Sequence, residues 1–131
     1  MIVDTSAVIA VLFQEPEAQH FSVLIEETVD CRISAANYFE AAIVLDGSRN
    51  PIVSRRLDDL ILHGGILVEP VTESQARIAR DAYRDFGKGS GHPAQLNFGD
   101  CFAYALARET GQPLLFKGSD FSQTDLRSGL G

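Results

Sequence analysis

The chain has 131 residues and carries 18 acidic against 11 basic side chains, which gives a formal net charge of −7 at pH 7. Its length fits a single domain over residues 1–131, and its 45% of hydrophobic residues excludes a disordered chain. The negative charge argues against a general nucleic-acid coat protein, which would present a basic face to the phosphate backbone.

Short apolar, β-prone runs alternate with helix signals along the whole chain. In chain order, the predicted strands cover residues 2–3, 31–34, 66–68 and 114–116. The predicted helices begin after Asp4, begin at Pro16, and cover residues 35–48, 52–63, about 73–86 and 97–110. The segment 86–93 holds three glycines and one proline, and we interpret it as a mobile connecting loop.

This alternation predicts an α/β fold, with a short-stranded, mainly parallel sheet covered by helices on both faces. In such sheets, ligands bind outside the carboxyl ends of the strands. Asp4 and the segment 117–120 both directly follow predicted strands. We therefore expect them at the edge of the sheet where a ligand would bind.

The sequence shows no sign of a membrane segment or of export. No apolar run reaches the length of a membrane span, and the start Met1–Asp4 has neither a basic region nor a cleavage signal. Cys31 and Cys101 are far apart and form no C-x-x-C pair, so we expect two buried free thiols. Together these features predict a cytoplasmic protein that binds no membrane.

Four carboxylates differ from the acidic residues on polar helix faces, because their neighbours are apolar or because they follow a buried strand. They are Asp4, Glu40, Asp100 and Asp120. If these side chains from four segments converge, their mutual repulsion requires a cation, and carboxylate oxygens suit the hard ions Mg²⁺ and Mn²⁺. No histidine or cysteine spacing offers a zinc site.

Each of the four also has an ordinary structural interpretation. Asp4 is a good helix cap, and Asp120 follows a glycine and a serine, as in a turn. Asp100 stands three residues after Asn97, as in a capping box. Glu40 is, on this interpretation, a partly exposed residue on one stripe of its helix. The sequence alone leaves both interpretations open.

Four segments that contain these carboxylates match one known family in order and spacing. They are residues 1–7 (MIVDTSA), 34–40 (SAANYFE), 96–105 (LNFGDCFAYA), and 117–121 (KGSDF) with Thr124-Asp125. In these segments the chain resembles the PIN domains, and among them the VapC toxins of bacterial toxin–antitoxin pairs. The resemblance covers essentially the whole chain and departs at Ser119, where close relatives often carry a second acidic residue.

The resemblance implies a three-layer α/β/α PIN-like fold and endonucleolytic hydrolysis of RNA, with Mg²⁺ or Mn²⁺ as cofactor. The implied catalytic residues are Asp4, Glu40, Asp100 and Asp120. Among them we expect Asp4 and Asp100 to bind the metal directly, and the other two to bind it directly or through water. Asp125 is a competing candidate for the last position, which we interpret as a capping or structural residue.

Neighbouring polar residues are predicted to support this site. Those expected to orient the carboxylates or their waters are Thr5, Ser6, Asn37 and Ser119. Lys117 is the candidate for a contact with RNA phosphate, since it lies close to Asp120 in sequence. The arginines of the helix 73–86 share one face but are interleaved with Asp81 and Asp85, so we interpret that face as ion-paired.

The resemblance also implies partners: an RNA substrate, with tRNA or another structured RNA as candidates, a cognate VapB-like antitoxin, and a second copy in a homodimer. Two other functions stay open at this point. One is a receiver-like signalling module that accepts a phosphate beside Mg²⁺, although residues 66–70 offer no aspartate at the end of the third strand. The other is an inactive PIN fold that serves as a binding partner, although all four acidic positions are occupied.

Overall fold

The computed structural model describes residues 1–131, and its centre is a four-stranded sheet in the order β3-β2-β1-β4. The strands are β1 (Ile2–Val3), β2 (Cys31–Ser34), β3 (Ile66–Glu69) and β4 (Leu114–Leu115). Every pairing is parallel, and Ile2 lies opposite both Arg32 of β2 and Leu114 of β4. The carboxyl ends of all four strands therefore meet at one edge of the sheet.

Six α-helices connect and cover the strands. They are α1 (Thr5–Leu12), α2 (Ala18–Glu27), α3 (Ala35–Gly47), α4 (Pro51–His63), α5 (Glu73–Phe86) and α6 (Phe98–Thr110), followed by a 3₁₀ turn at Phe121–Gln123. The second helix begins at Ala18, because Pro16 lies in the turn before it. None of the helices is long and apolar enough to cross a membrane.

The sheet separates two hydrophobic cores. Successive residues of a strand point to opposite faces, and here Val3 and Leu115 pack with α1 to α4 while Ile2 and Leu114 pack with α5 and α6. All four side chains are fully buried. The result is the α/β/α arrangement that the alternation of strands and helices predicts.

Polar caps begin two helices directly at the carboxyl edge of the sheet. Asp4 follows β1 and caps α1, while Ser34 ends β2 and caps α3. Both side-chain oxygens accept a backbone N–H from the first turn, as good capping residues do. The first turns of α1 and α3 therefore lie side by side at the edge where ligands bind.

The two cysteines and the end of the chain complete the fold. Cys31 and Cys101 are buried free thiols, as the sequence predicts, and burial raises the pKa of both. Beyond β4, where the sequence predicts no element, the chain returns to the sheet. There Leu114 donates its N–H to Arg127 at 2.9 Å, and its carbonyl accepts the N–H of Gly129 at 2.7 Å. The last residues therefore hold β4 in place.

Candidate active site

Asp4 is both a helix cap and a buried carboxylate with one free oxygen. Its Oδ2 accepts the backbone N–H of Ser6 at 3.0 Å and the Ser6 hydroxyl at 2.6 Å. Its Oδ1 is buried and has no hydrogen-bond partner. Burial raises the pKa of Asp4 to about 7, and the nearby charges of Asp100 and Glu40 add to this rise against the opposing hydrogen bonds of Ser6.

Two hydroxyl residues after Asp4 connect it to the rest of the fold. The Ser6 hydroxyl, which donates to Asp4, accepts the backbone N–H of Lys117 at 2.9 Å. The Thr5 hydroxyl donates to the backbone carbonyl of Asn37 at 3.2 Å, which ties α1 to α3. Ser6 thus contacts the carboxylate itself, while Thr5 holds together two helices that carry site residues.

Asp100 lies in the first turn of α6 and forms a capping box with Asn97. Its Oδ2 accepts the Asn97 N–H at 2.9 Å, and Asn97 Oδ1 accepts the Asp100 N–H at 2.9 Å. Burial raises the pKa of Asp100 to about 6, and the charges of Asp120 and Glu40 add to the rise. As in Asp4, a backbone N–H holds one carboxylate oxygen while the other makes no hydrogen bond.

Glu40 projects from α3 and is partly exposed, so its apolar neighbours in the sequence do not bury it. Its Oε1 lies 3.4 Å from Nδ2 of Asn37. The same amide nitrogen donates to the backbone carbonyl of Gly99 at 3.0 Å, and Asn37 is completely buried. Asn37 therefore joins α3 to α6 at the place where Glu40 lies.

An open cavity of about 230 Å³ brings three of the four predicted carboxylates together. It is lined by Asp4, Thr5, Ser6, Ile9, Glu40, Val44, Asn97 and Asp100. Asp120 is exposed at the start of the 3₁₀ turn and does not line the cavity, although its charge raises the pKa of Asp100. The structure thus groups Asp4, Glu40 and Asp100, with Asp120 at the periphery.

The side chains of Lys117 and Ser119 do not line this cavity. The Nζ atom of Lys117 lies 3.1 Å from Glu15 and 3.6 Å from Glu17, and only the Lys117 backbone N–H reaches Ser6. Ser119 is exposed on the loop after β4. The structure gives no contact from either side chain to the three grouped carboxylates.

Asp125 lies outside the cavity as well. It accepts the hydroxyl of Tyr104 at 2.8 Å and forms an ion pair with Arg108 at 3.0 Å. These partners give it the structural role that we infer from the sequence. Arg77 and Arg84 of α5 form ion pairs with acidic residues of the same helix, in agreement with the interpretation of that face as ion-paired.

The grouped residues fit a hard divalent cation. Asp4 Oδ1 is a buried oxygen without a donor, an arrangement that is costly unless a proton or a cation satisfies it. No group of three or more aspartate, glutamate, histidine or cysteine side chains is arranged to hold a metal ion by itself. Mg²⁺, however, usually binds one or two protein carboxylates and keeps several waters, so the free oxygens of Asp4 and Asp100 meet its requirement.

Two features of this site are not predicted from the sequence. Asn97, interpreted only as a cap, also lines the cavity. Gly99 is the second, because a Cβ at this position would overlap the carboxylate of Glu40. The available signal was a glycine in the first turn of a predicted helix, where a glycine often marks a close approach.

Comparisons with known proteins cover nearly the whole chain. The family described as "PIN domain" matches residues 1–126. Ribonuclease VapC28 of Mycobacterium tuberculosis is 55% identical over 130 residues, which cover 99% of this chain and 98% of the relative. Ribonuclease VapC42 of the same organism is 50% identical over 127 residues, 97% of each chain. In both comparisons the match leaves at most a few residues uncovered in this chain and in the relative.

Solved structures share the fold at much lower identity. The crystal structure of VapC20 from Mycobacterium tuberculosis, described as a sarcin-ricin loop cleaving toxin, has a TM-score of 0.74 at 18% identity and covers 95% of each chain. A toxin–antitoxin complex from Klebsiella pneumoniae has a TM-score of 0.67 at 16% identity and covers 92% of this chain and 89% of that one. At such identities, the likeness shows the fold alone.

Proposed function

This chain belongs to the PIN-domain family, and on that premise we propose that it is a metal-dependent endoribonuclease of the VapC toxin type. The observation that carries the proposal is that one cavity is lined by Asp4, Glu40 and Asp100. Asp4 caps α1, while Glu40 and Asp100 lie in two other helices, α3 and α6. The relatives that cover the chain almost completely are named ribonucleases, which supports RNA as the substrate.

Mg²⁺ or Mn²⁺ is the proposed cofactor. Asp4 and Asp100 would hold it through their free oxygens, and Glu40 and Asp120 would assist directly or through water. When bound, such an ion neutralises the scissile phosphate, lowers the pKa of the attacking water and stabilises the leaving oxygen. Its positive charge would also offset the burial and the repulsion that raise the pKa of Asp4 and Asp100.

The chain itself fixes the two aspartates before any ligand arrives. Because the Ser6 hydroxyl accepts the Lys117 N–H, its own proton is directed to Asp4 Oδ2, and Oδ1 stays available. The capping box does the same for Asp100 by engaging only Oδ2. Carboxylates held in this way need little rearrangement to bind a cation or its waters.

Glu40 is proposed to orient the attacking water. Its Oε1 is the oxygen that faces Asn37, which leaves Oε2 to accept a hydrogen bond from a water molecule. Partial exposure of Glu40 gives solvent water access to this position. A general base must lie within hydrogen-bond distance of the group whose proton it accepts.

A protein antitoxin is the proposed inhibitory partner, and a second copy of the chain is the proposed partner in a homodimer. One structure with the same fold is described as a toxin–antitoxin complex. The helix that carries Glu40 also exposes large apolar side chains, with Phe39 65% and Ile43 57% exposed. Apolar surface of this kind suits a protein contact. The candidates for the RNA target are tRNA and other structured RNA.

The receiver-like alternative is set aside, because the PIN family covers residues 1–126. The third strand also ends at Glu69, whose carboxylate lies 3.6 Å from Arg32 in a salt bridge and is not placed to accept a phosphate. The other alternative, an inactive PIN fold, predicts no RNA cleavage by the wild type, so a cleavage experiment distinguishes it from the proposal.

Cleavage of total RNA tests the proposed function. We expect the wild type to cut RNA with added Mn²⁺ or Mg²⁺ and to be inactive in EDTA. Asp4→Asn and Asp100→Asn should abolish cleavage while circular dichroism shows an intact fold. Asp59→Asn, which changes an exposed aspartate of α4, is the matched control and should stay active. Cleavage in EDTA, or by both site variants, would contradict the proposal.

A further inference from the structure

The carboxylate of Glu40 reaches the first turn of α6 because residue 99 has no side chain. A Cβ at position 99 would overlap the Glu40 carboxylate itself. Gly99 is buried and helical, and it is not among the glycines with positive φ, so its backbone conformation does not require glycine. Glycine weakens a helix, so a helical glycine whose φ angle does not require it usually allows another group to pack closely. At position 99 that group is the Glu40 carboxylate.

Asn37 supports the same contact from α3. Its Nδ2 donates to the carbonyl of Gly99 at 3.0 Å and lies 3.4 Å from Glu40 Oε1. One buried amide thus holds both the backbone of residue 99 and the carboxylate that lies on it. The start of α6 is further fixed by the capping box of Asn97 and Asp100, so this backbone is not free to retreat.

We propose that Gly99, together with Asn37, is a positioning residue that fixes the Glu40 carboxylate against the N-terminal turn of α6. The inference rests on the proposed function, in which Glu40 orients the attacking water. A helix N-terminus attracts a carboxylate, which offsets part of the repulsion between Glu40 and Asp100. The absence of a side chain at position 99 therefore sets the distance between two acidic groups of the site.

The contact between Gly99 and the Glu40 carboxylate predicts how activity and stability respond to alanine at position 99. The atoms that a new Cβ would meet are the end of a flexible, partly exposed side chain. Alanine at position 99 should therefore displace the carboxylate and leave the helix in place. Activity should fall without a loss of stability, which a purely structural role for Gly99 would not produce.

The matched comparison is Gly99→Ala against Gly47→Ala. Gly47 is the last residue of α3, is also helical, and a Cβ there would meet no atom within 4 Å. Gly47→Ala should leave kcat unchanged and raise the melting temperature, because alanine favours a helix. Gly99→Ala should lower kcat by about 10- to 100-fold through misplacement of Glu40, with a smaller change in KM and no fall in melting temperature.

The decisive comparison is made by introducing Gly99→Ala into a protein that already carries Glu40→Ala. With the carboxylate removed, Gly99→Ala should cause no further loss of kcat. In EDTA, Gly99→Ala should then raise the melting temperature as Gly47→Ala does, and by more than it does when Glu40 is present. Full activity of Gly99→Ala, or a loss that multiplies with that of Glu40→Ala, would overturn the inference.

The melting temperatures keep this test separate from the proposed function. If the wild type shows no metal-dependent cleavage, the proposed function fails, and with it the role of Glu40 in catalysis. If cleavage is observed but Gly99→Ala changes the melting temperature equally with and without Glu40, the two positions are not in contact. That second result would overturn the positioning role alone.

Discussion

Two aspartates at opposite ends of the parallel sheet differ in almost every physical respect. Asp4 follows β1 at its carboxyl end, whereas Asp30 precedes β2 at its amino end. Oδ1 of Asp4 has no partner, whereas Asp30 accepts hydrogen bonds from Arg32 at 2.9 and 3.0 Å and from Gln112 at 2.9 Å. Burial raises the pKa of Asp4 to about 7, and hydrogen bonds from Arg32 and Gln112 lower that of Asp30 to about 2.

This difference separates a carboxylate that supports the fold from one that is available to a ligand. The partners of Asp30 connect β2 with Gln112, and the N-terminal amine donates to the Asp30 carbonyl beside them at 2.6 Å. Asp4, by contrast, is an ionisable group taken out of water without full compensation, which destabilises the free protein. A cation that binds there would offset this cost, so stability and function oppose each other at Asp4 and not at Asp30.

The largest expected effect is on RNA cleavage. Asp4→Asn should lower kcat/KM by about 100-fold or more, because it removes negative charge needed to hold the cation. Asp30→Asn should leave kcat/KM close to that of the wild type, since Asp30 is at the other end of the sheet. Steady-state cleavage of a short RNA with Mn²⁺ measures both. Equal losses in the two variants would break the comparison.

The next effect is on the stability of the metal-free protein. The folded-state pKa of Asp4 is raised, so the wild type loses stability as pH rises from about 3.8 to about 7. Asp4→Asn does not titrate and should be more stable than the wild type above this range, by roughly 2–4 kcal/mol. Urea denaturation in EDTA across this pH range measures the difference. A variant that is less stable than the wild type above pH 7 would refute the argument.

Added metal should reduce that difference. A cation that binds only the folded wild type stabilises it by about 2.7 kcal/mol at one hundred times its Kd. We expect Mn²⁺ to raise the melting temperature of the wild type and of Asp30→Asn. It should not raise that of Asp4→Asn. The same shift in all three proteins would place the metal elsewhere.

Asp30→Asn should have a smaller effect of the opposite sign. Because the folded-state pKa of Asp30 is lowered, its contribution is present above its ordinary value of 3.8 and is lost as pH falls toward about 2. The variant should therefore melt at a lower temperature than the wild type near neutral pH, with the two curves converging in acid. The side chain is partly exposed to solvent, so we expect a modest change. Scanning calorimetry at several pH values measures this convergence.

The smallest expected effect concerns a paired charge at the edge of the site. The Nζ atom of Lys117 lies close to Glu15 and Glu17, so its charge is already compensated. Lys117→Ala should lower stability by less than about 1 kcal/mol and change KM for RNA by less than about twofold. Titration of RNA binding at several salt concentrations measures this. A clear drop in the salt dependence would instead support the phosphate contact that the sequence predicts.

Local signals in the sequence were sufficient for the main elements of the fold. Strand β2 has the predicted bounds, because Cys31–Ser34 stand between a polar turn and the helix that Ser34 caps. The capping pattern of Asn97 and Asp100 likewise predicted the start of α6. Signals of this kind act within one turn of the chain, so they need no knowledge of the tertiary structure.

Contacts between distant residues were not available from those signals. The bond from Asn37 to Gly99 joins residues 62 positions apart, and the bond from Lys117 to Ser6 joins residues 111 apart. The sequence left open whether Glu40 is buried or partly exposed, and the structure shows it partly exposed, because burial depends on which helix packs against which face. The motifs identified the acidic residues, whereas only the fold shows what holds them.

The use of Asp4 as the cap of α1 and of Asp100 in the capping box of α6 has a consequence for dynamics. Fraying of the first turn of α1 or α6 would release the capped oxygen and move the carboxylate at the same moment. The backbone amide of Ser6 donates to Asp4, and that of Asn97 donates to Asp100, so both amides are reporters of how well the site is assembled. Their hydrogen–deuterium exchange should slow together when a divalent cation binds, even though they lie at the starts of different helices.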